Sequence, residues 1–293
     1  MIYWIKTKDL PGLLILTGSM KNDTRDSAAT LCSSLNGLLT KCPVKNKHMK
    51  KLINCFIALF TGMQMQAQTQ FHNLIKIEFE KTVYVRQLYK ELAPDWFDRI
   101  KDRLPNSTIT YFDFIGDSTK SLYKPGREVP VDPRSINMNI ADKNVVYNDY
   151  KTGTTVTQKP VFEETFLVQD SLLKIKWKLT ADTRSIAGFD CRKAIGLIDD
   201  SITIFAFYTD EILINGGPEG ANGLPGMILG LGMPRIHTTW FATKVEVNGA
   251  DLGKVTPATK GKKLNRQTML QSLDKVLKNW GNYGKNMVWN FVI

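Results

Sequence analysis

Cysteine and histidine are scarce in this 293-residue chain, which has four of the first and three of the second. Cys32, Cys42 and Cys55 all stand within the first 67 residues, so Cys191 is the lone cysteine after residue 67. That excludes an internal disulfide in the later part, and any zinc site built on two or more cysteines. Cys191 is expected to be a small buried apolar side chain. His72 and His237 are too few for a histidine-centred metal cluster, and no Gly-x-Ser-x-Gly elbow accompanies them to receive a nucleophile. Neither a metal, a cofactor nor a catalytic residue is therefore expected. Long apolar runs are missing too: the longest, Leu52 to Met65, falls short of the roughly 20 residues that cross a bilayer.

That run has another reading. MKKLINCFIALFTGMQMQAQTQ, from Met49, places two lysines before an apolar stretch and small, polar residues around Ala67 after it. The order is that of a secretory signal peptide cleaved near Ala67. The expected organisation is a doubtful upstream extension over 1–48 from a mis-called start, a signal peptide over 49–67, and a single β domain over 68–293. The protein is then exported to the periplasm or cell envelope and is soluble after cleavage. Charge changes with the cut. The whole chain carries +11, but nine basic and three acidic residues lie in 1–67, which leaves +5. A nucleic-acid partner is not expected from so mild an excess, much of which sits in a basic tail after residue 254.

The later part is rich in alternation. Ile75, Ile77 and Phe79 interleave with Lys76, Glu78 and Glu80, as in a strand with one wet face. Leu88, Leu92, Trp96, Ile100 and Leu104 recur every four residues, which predicts a helix after that strand, bent near Pro94. Strands are expected over 108–115, 121–124, 145–150, 161–168, 172–179, 189–195, 201–208, 227–231 and 236–247, separated by turn residues. A helix over 264–279 and a final strand from NMVWNFVI complete the pattern. The fold class is mainly β (α+β): one curved antiparallel sheet or half-barrel with an N-terminal helix after strand 1 and a C-terminal helix.

Gly216 to Pro234 gathers seven glycines and three prolines into nineteen residues. It contains no lysine, which excludes a phosphate-binding P-loop, and Pro234 spoils a dinucleotide fingerprint at Gly230 and Gly232. A turn fits better. In Gly223-Leu224-Pro225-Gly226-Met227, proline fixes one φ and glycine supplies a positive one, as a type II turn requires. Met227, Ile228 and Leu229 then run without a polar alternate, as in a strand covered on both faces. Adjacent acids do not suggest a shared site: Glu163 and Glu164 would point to opposite faces of a strand, and Asp199-Asp200 reads as a corner.

With its flanks, VVYNDY, FEETFLVQD, KIKWKLT, IAGFDCRKA, AFYTDEI and GGPEG in order, and LKNWGNYGK beyond, this core resembles the GLPGLI family of exported Bacteroidota proteins. Met227 replaces that family's leucine, Phe207 its tryptophan and Leu213 its proline. The resemblance implies an exported cell-envelope protein without an established activity, and its strand order resembles half-barrel lipoprotein carriers. On that footing the expected function is a non-enzymatic binding or carrier protein. Trp177, Phe205, Phe207, Met227, Ile228 and Trp240 would line a concave face for a lipid or other apolar segment. The alternative is an interaction module that docks an outer-membrane protein partner through the loop from Gly216 to Gly223 or the basic tail; an enzyme comes third.

Overall fold

The alternation that begins at Leu74 sets the architecture. In the computed structural model, which describes residues 74–130, 141–247 and 251–293, it forms β1 (Leu74–Val83), with Ile75, Ile77 and Phe79 fully buried on one face. The chain then makes two short helices, α1 (Val85–Leu92) and α2 (Pro94–Ile100), where one bent helix was expected. The break is at Ala93, whose φ of −141° and ψ of 63° are non-helical, because the ring of a following proline crowds the helical conformation of the residue before it.

A meander follows through β2 (Thr108–Asp117), β3 (Lys120–Pro125), β4 (Val145–Asp149), β5 (Thr154–Val161) and β6 (Glu164–Ser171). The expected strand over 161–168 is thus two strands. Val161 pairs with Glu164 across a two-residue turn in which Phe162 takes a φ of 55°. A second meander runs through β7 (Ile175–Ile186), β8 (Phe189–Ile198), β9 (Ile202–Thr209), β10 (Met227–Met233) and β11 (Thr238–Val247). Asp199 and Asp200 form the corner between β8 and β9, as their residue types predict.

The two meanders meet where β1 pairs with β11, giving one sheet in the order β12-β6-β5-β4-β3-β2-β1-β11-β10-β9-β8-β7. It is mainly antiparallel but mixed, since the short β12 (Lys262–Leu264) runs parallel to β6. The sheet is open, with β12 and β7 at its edges. A single sheet with a helix after strand 1 and another near the end is therefore present, but it is neither purely antiparallel nor a demonstrated carrier half-barrel. Thr69–Ile293 is one compact unit; the expected leader and His72 lie outside the described residues.

α3 (Arg266–Leu277) starts where the Asn265 side chain accepts the Thr268 N–H at 2.8 Å, which satisfies a donor that the helix leaves free. Met269, Leu273 and Leu277, four residues apart, bury one stripe against Val161, Phe166 and Val168 of β5 and β6. After it come α4 (Gly281–Met287) and a helical turn at Val288–Phe291, in place of the expected final strand. Phe291 is buried in the same cluster.

The glycine-rich stretch is a turn of a different type from the one expected. The Gly226 N–H donates to Leu224 O at 2.8 Å, a three-residue turn around Pro225, while the Met227 N–H goes to Ile212 O at 3.0 Å. Gly226 has a φ of 147°, and a Cβ there would lie 2.0 Å from Thr209 O. Met227, Ile228 and Leu229 are each fully buried, so the strand is covered on both faces as expected. Gly226→Ala should therefore cost upwards of about 3 kcal/mol. Urea denaturation of the variant checks this; a loss within about 0.5 kcal/mol, usual for a surface change, would show that the backbone accommodates a side chain there.

Candidate functional site

The buried face of the sheet is apolar in its middle and charged toward one end. On β1 the row Ile75, Ile77, Phe79 continues to Lys81, which is 2% exposed. Its ammonium donates to Ala141 O and Asp142 Oδ1, both at 3.0 Å, and stands 5.7 and 5.8 Å from the ring centres of Phe112 and Trp240. On β5 the row Thr157, Lys159, Val161 faces inward by the same period of two, so Lys159 is buried as well. Lys159 Nζ donates to the main-chain oxygen of Phe291, at 3.2 Å, and to a carboxylate oxygen of Ile293, the last residue of the sequence.

Between these lysines comes a carboxylate from the glycine-rich loop. Gly216 to Ala221 is buried, and the loop lies against the sheet because its glycines lack side chains: a Cβ on Gly216 would sit 2.3 Å from the Tyr150 hydroxyl. Glu219 adopts a φ of 53° in this loop and is 5% exposed. Asn144 Nδ2 donates to Glu219 Oε2 at 3.0 Å, whereas Oε1 has no protein hydrogen-bond partner. The loop thus presents its one acid inward.

Glu219, Lys159, Asn148 and Gly220 line a cleft of about 280 Å³, closed on the other side by Arg266, Met269, Phe291 and Val292, with Asp170, Asp199 and Lys174 also on its wall. Arg266 anchors the start of α3: its main-chain N–H reaches Asp170 Oδ2 at 3.1 Å and its guanidinium reaches Asp199 Oδ2 at 2.8 Å. Three buried polar atoms of the lining residues, Glu219 Oε1, Asn148 Oδ1 and Arg266 Nε, have no hydrogen-bond partner among the described residues. A polar atom buried without a partner costs on the order of 1–3 kcal/mol. A far smaller cavity of about 20 Å³ lies on the Lys81 side of Glu219, bounded by Asp142, Trp240 and Asn290.

Burial governs the titration of these groups. It lifts the Glu219 carboxyl above its ordinary value, against the opposing pull of Lys81 and Lys159. It pushes the Lys159 ammonium down to about 8, opposed by Glu219 and reinforced by Arg266 and Lys81. The cleft therefore pairs a carboxyl inclined to hold a proton with an amine inclined to lose one. Elsewhere, burial pushes the Cys191 thiol up to about 12, so it is the inert buried cysteine expected. His237 is not in a strand: it takes a left-handed φ of 47° just before β11, with Nε2 3.0 Å from Glu91 Oε1 but not aligned as a hydrogen bond. Among the described residues, no three His, Cys, Asp or Glu side chains gather as a metal site.

The apolar residues expected to share one face do not. Trp177, Ile228 and Trp240 share the inward face, where Trp177 lies over Gly196 and donates its indole N–H to Asn222 O at 2.9 Å, whereas Met227, opposite Thr209, is buried on the other side of its strand. Phe205 and Phe207 occupy the alternate positions of β9 and face the other side. There they line an open groove of about 410 Å³ with Phe241, Pro234 and Tyr84. Met227 and Ile228 are filled core, and Trp240 bounds only the cavity of about 20 Å³ beside Lys81. The expected set missed Lys81, Lys159 and Glu219, although Lys81 stands in the apolar parity of its strand and was legible there.

Comparison with known proteins bears on the same point. A family model described as N-glycanase peptide, N-terminal domain matches residues 138–270, which include Asn148, Lys159 and Glu219. No curated protein matches the chain. Two solved structures of PNGF-II are similar to it. The one in a C2 crystal form shares 16% identity over 74% of this chain and 33% of that one, with a TM-score of 0.43. The one in a P21 form shares 15% identity over 72% and 34%, with a TM-score of 0.45. The chain spans about a third of the length of these solved chains. The resemblance to the GLPGLI family is corrected accordingly, because the matching model is that of an N-glycanase domain. The lipid-carrier function and the expectation of no enzymatic activity, both tied to that resemblance, fall with it.

Lys159 supplies a test of the site's electrostatics. In the unfolded chain it titrates near 10.5, in the fold near 8, so below pH 8 the fold carries a buried ammonium at a cost of about 3 kcal/mol. The unfolded chain binds the extra proton between about pH 8 and 10.5, so stability from this group rises across that window. Lys159→Met should be more stable than the parent at pH 7, by up to that amount, and should lose that rise. Urea denaturation of both proteins at pH 7 and pH 10 measures it; parallel curves would refute the assignment.

Proposed function

We propose that the chain has a glycan-related, enzyme-like function, receiving the carbohydrate of a glycosylated peptide in the Glu219–Lys159 cleft. The observation that carries this reading is the set of three unpartnered buried polar atoms around one cleft, a donor on Arg266 and acceptors on Asn148 and Glu219. A sugar hydroxyl both donates and accepts, so a polyhydroxylated ring is suited to satisfy all three. The match to an N-glycanase domain model over this same region supports the choice of a glycan over other polar ligands.

Glu219 is the group equipped for chemistry. Burial raises its carboxyl above the ordinary value, the direction that suits a group delivering a proton to the leaving atom of a glycan linkage. Asn144 holds one carboxyl oxygen and leaves the other toward the ligand. Arg266, fixed by Asp170 and Asp199, orients the sugar through its unpaired N–H.

A second reading has its own observation. The matching model is of an N-terminal domain, and the chain spans only about a third of the solved PNGF-II chains. In that reading the cleft recognises the glycan and its linkage is cut elsewhere. One experiment separates the two: the protein and Glu219→Gln are incubated with a peptide carrying one N-linked glycan, and bound and released glycan are measured by mass spectrometry. Release that drops about 100-fold in the variant supports the acid role. Saturable binding without release favours recognition. Absence of both binding and release would overturn both readings.

A further inference from the structure

We propose that the aromatic cluster Phe162, Trp280 and Tyr283 is a second carbohydrate-binding surface, on which an outer sugar ring of a longer glycan stacks. In naming a glycan this rests on the cleft reading above; the surface itself is built from other residues.

The backbone points to it first. In the two-residue turn between β5 and β6, Phe162 and not Glu163 takes a positive φ, of 55°. A hairpin with a positive φ at the first turn position ordinarily places glycine there, and a bulky aromatic residue in that conformation is strained. The strain is not offset by burial, since Phe162 is 53% exposed. Strain of this kind, held at the surface, marks a residue kept for what it presents.

Its ring meets Trp280 edge-on with centres 5.3 Å apart, and Trp280 is itself 45% exposed and stacked with Tyr283 at 6.2 Å. Trp280 closes the helical turn Lys278–Trp280 that extends α3, and Gly281, with a φ of 62°, redirects the chain beside it. Two half-exposed rings from separate elements are thus held together. Phe291 backs the cluster, 6.2 Å from Phe162 and on the wall of the cleft, so the surface and the cleft share one aromatic partition. At the rise of a helix, Arg266 in the cleft and Trp280 are roughly 20 Å apart, a span for a chain of sugars and not for one.

The groups around the rings select the ligand. A sugar ring offers C–H groups to an aromatic face and a rim of hydroxyls that both donate and accept. Exposed Glu163 and Glu164 follow Phe162 in the chain, and exposed Lys278 precedes Trp280 by two residues, which supplies acceptors and donors for such a rim. The same mixture of signs, with Asp274 and Lys275 also exposed on α3, disfavours an anionic bilayer, which draws aromatic residues flanked by cations.

The N-glycopeptide of the preceding experiment, intact and trimmed to its first sugar, tests this by isothermal titration calorimetry. The parent should bind the intact form about ten-fold more tightly than the trimmed one, and Trp280→Ala and Phe162→Gly should each remove that difference while leaving the trimmed form's affinity unchanged. Phe162→Gly should keep its urea midpoint at or above the parent's, because glycine fits the turn. Equal affinity of the parent for the two forms, or an intact form indifferent to both substitutions, would overturn the inference. So would a packing role, seen as a lowered midpoint in Phe162→Gly or weaker binding of the trimmed form, and so would Trp280-dependent binding to phosphatidylglycerol vesicles in place of glycan. The cleft reading is judged by the trimmed form: its binding without the gain from outer sugars leaves the cleft standing and removes this surface, and Trp280-dependent binding of the intact form alone does the reverse.

Discussion

The pairing of β1 with β11 is the contact on which the remaining structure depends. It joins residues 155 to 172 apart in sequence, Val83 opposite Thr238 and Ile75 opposite Val247, and without it each meander would keep a further open edge. The pair lies in the middle of the strand order, so each half of the sheet has its register referred to it. It also brings Lys81 opposite Trp240, so that a cation from one meander meets an aromatic ring from the other. So long a loop must close before the ladder can form, which places the assembly of this sheet on the slow, non-local side of folding.

From that ladder the glycine-rich loop takes its meaning. Gly216, Gly217 and Gly226 are each placed where a Cβ would collide, with Tyr150, Ile228 and Thr209 respectively, so the loop can only lie flat against the sheet. Lying flat, it carries Glu219 inward on a left-handed backbone that a non-glycine residue adopts reluctantly. The residue is held there by packing around it, and it adds a buried ionisable group to a place that already has two lysines. Stability alone favours apolar groups of similar volume in such a position. Left-handed backbone and a buried ionisable side chain thus coincide at Glu219.

How much of this was legible depends on periodicity. Strands with one wet face declare themselves, which is why β1, β8, β9 and β11 fall close to their expected places. Thr154–Val161 did not, because TTVTQKPV has polar residues at both parities; its inward row is Thr157, Lys159, Val161. A lysine on the buried face of a threonine-rich strand leaves no hydrophobic signal, so Lys159 was invisible. Glu219 was hidden for the opposite reason: glycine and proline around it announce a turn, and turns are usually at the surface. The expected aromatic set failed on parity. Phe205 and Phe207 share a strand position class with each other but not with Trp240, a distinction visible only once β9, β10 and β11 are in register.

The charges themselves decide what kind of ligand the cleft can hold. An apolar chain entering it would leave Glu219 Oε1, Asn148 Oδ1 and Arg266 Nε unpaired and would add no compensation for the buried ammonium of Lys159. A ligand with hydroxyl groups replaces each missing bond as it enters, so its binding recovers free energy that the empty fold forgoes. The cost of holding those atoms dry is already met in the folded chain, and under the glycan reading a polyhydroxylated guest offsets it on binding. The same burial, by the loop, α3 and the sheet, raises the Glu219 carboxyl above its ordinary value and lowers the Lys159 ammonium below its own, so both shifts arise from a single cause, the exclusion of water.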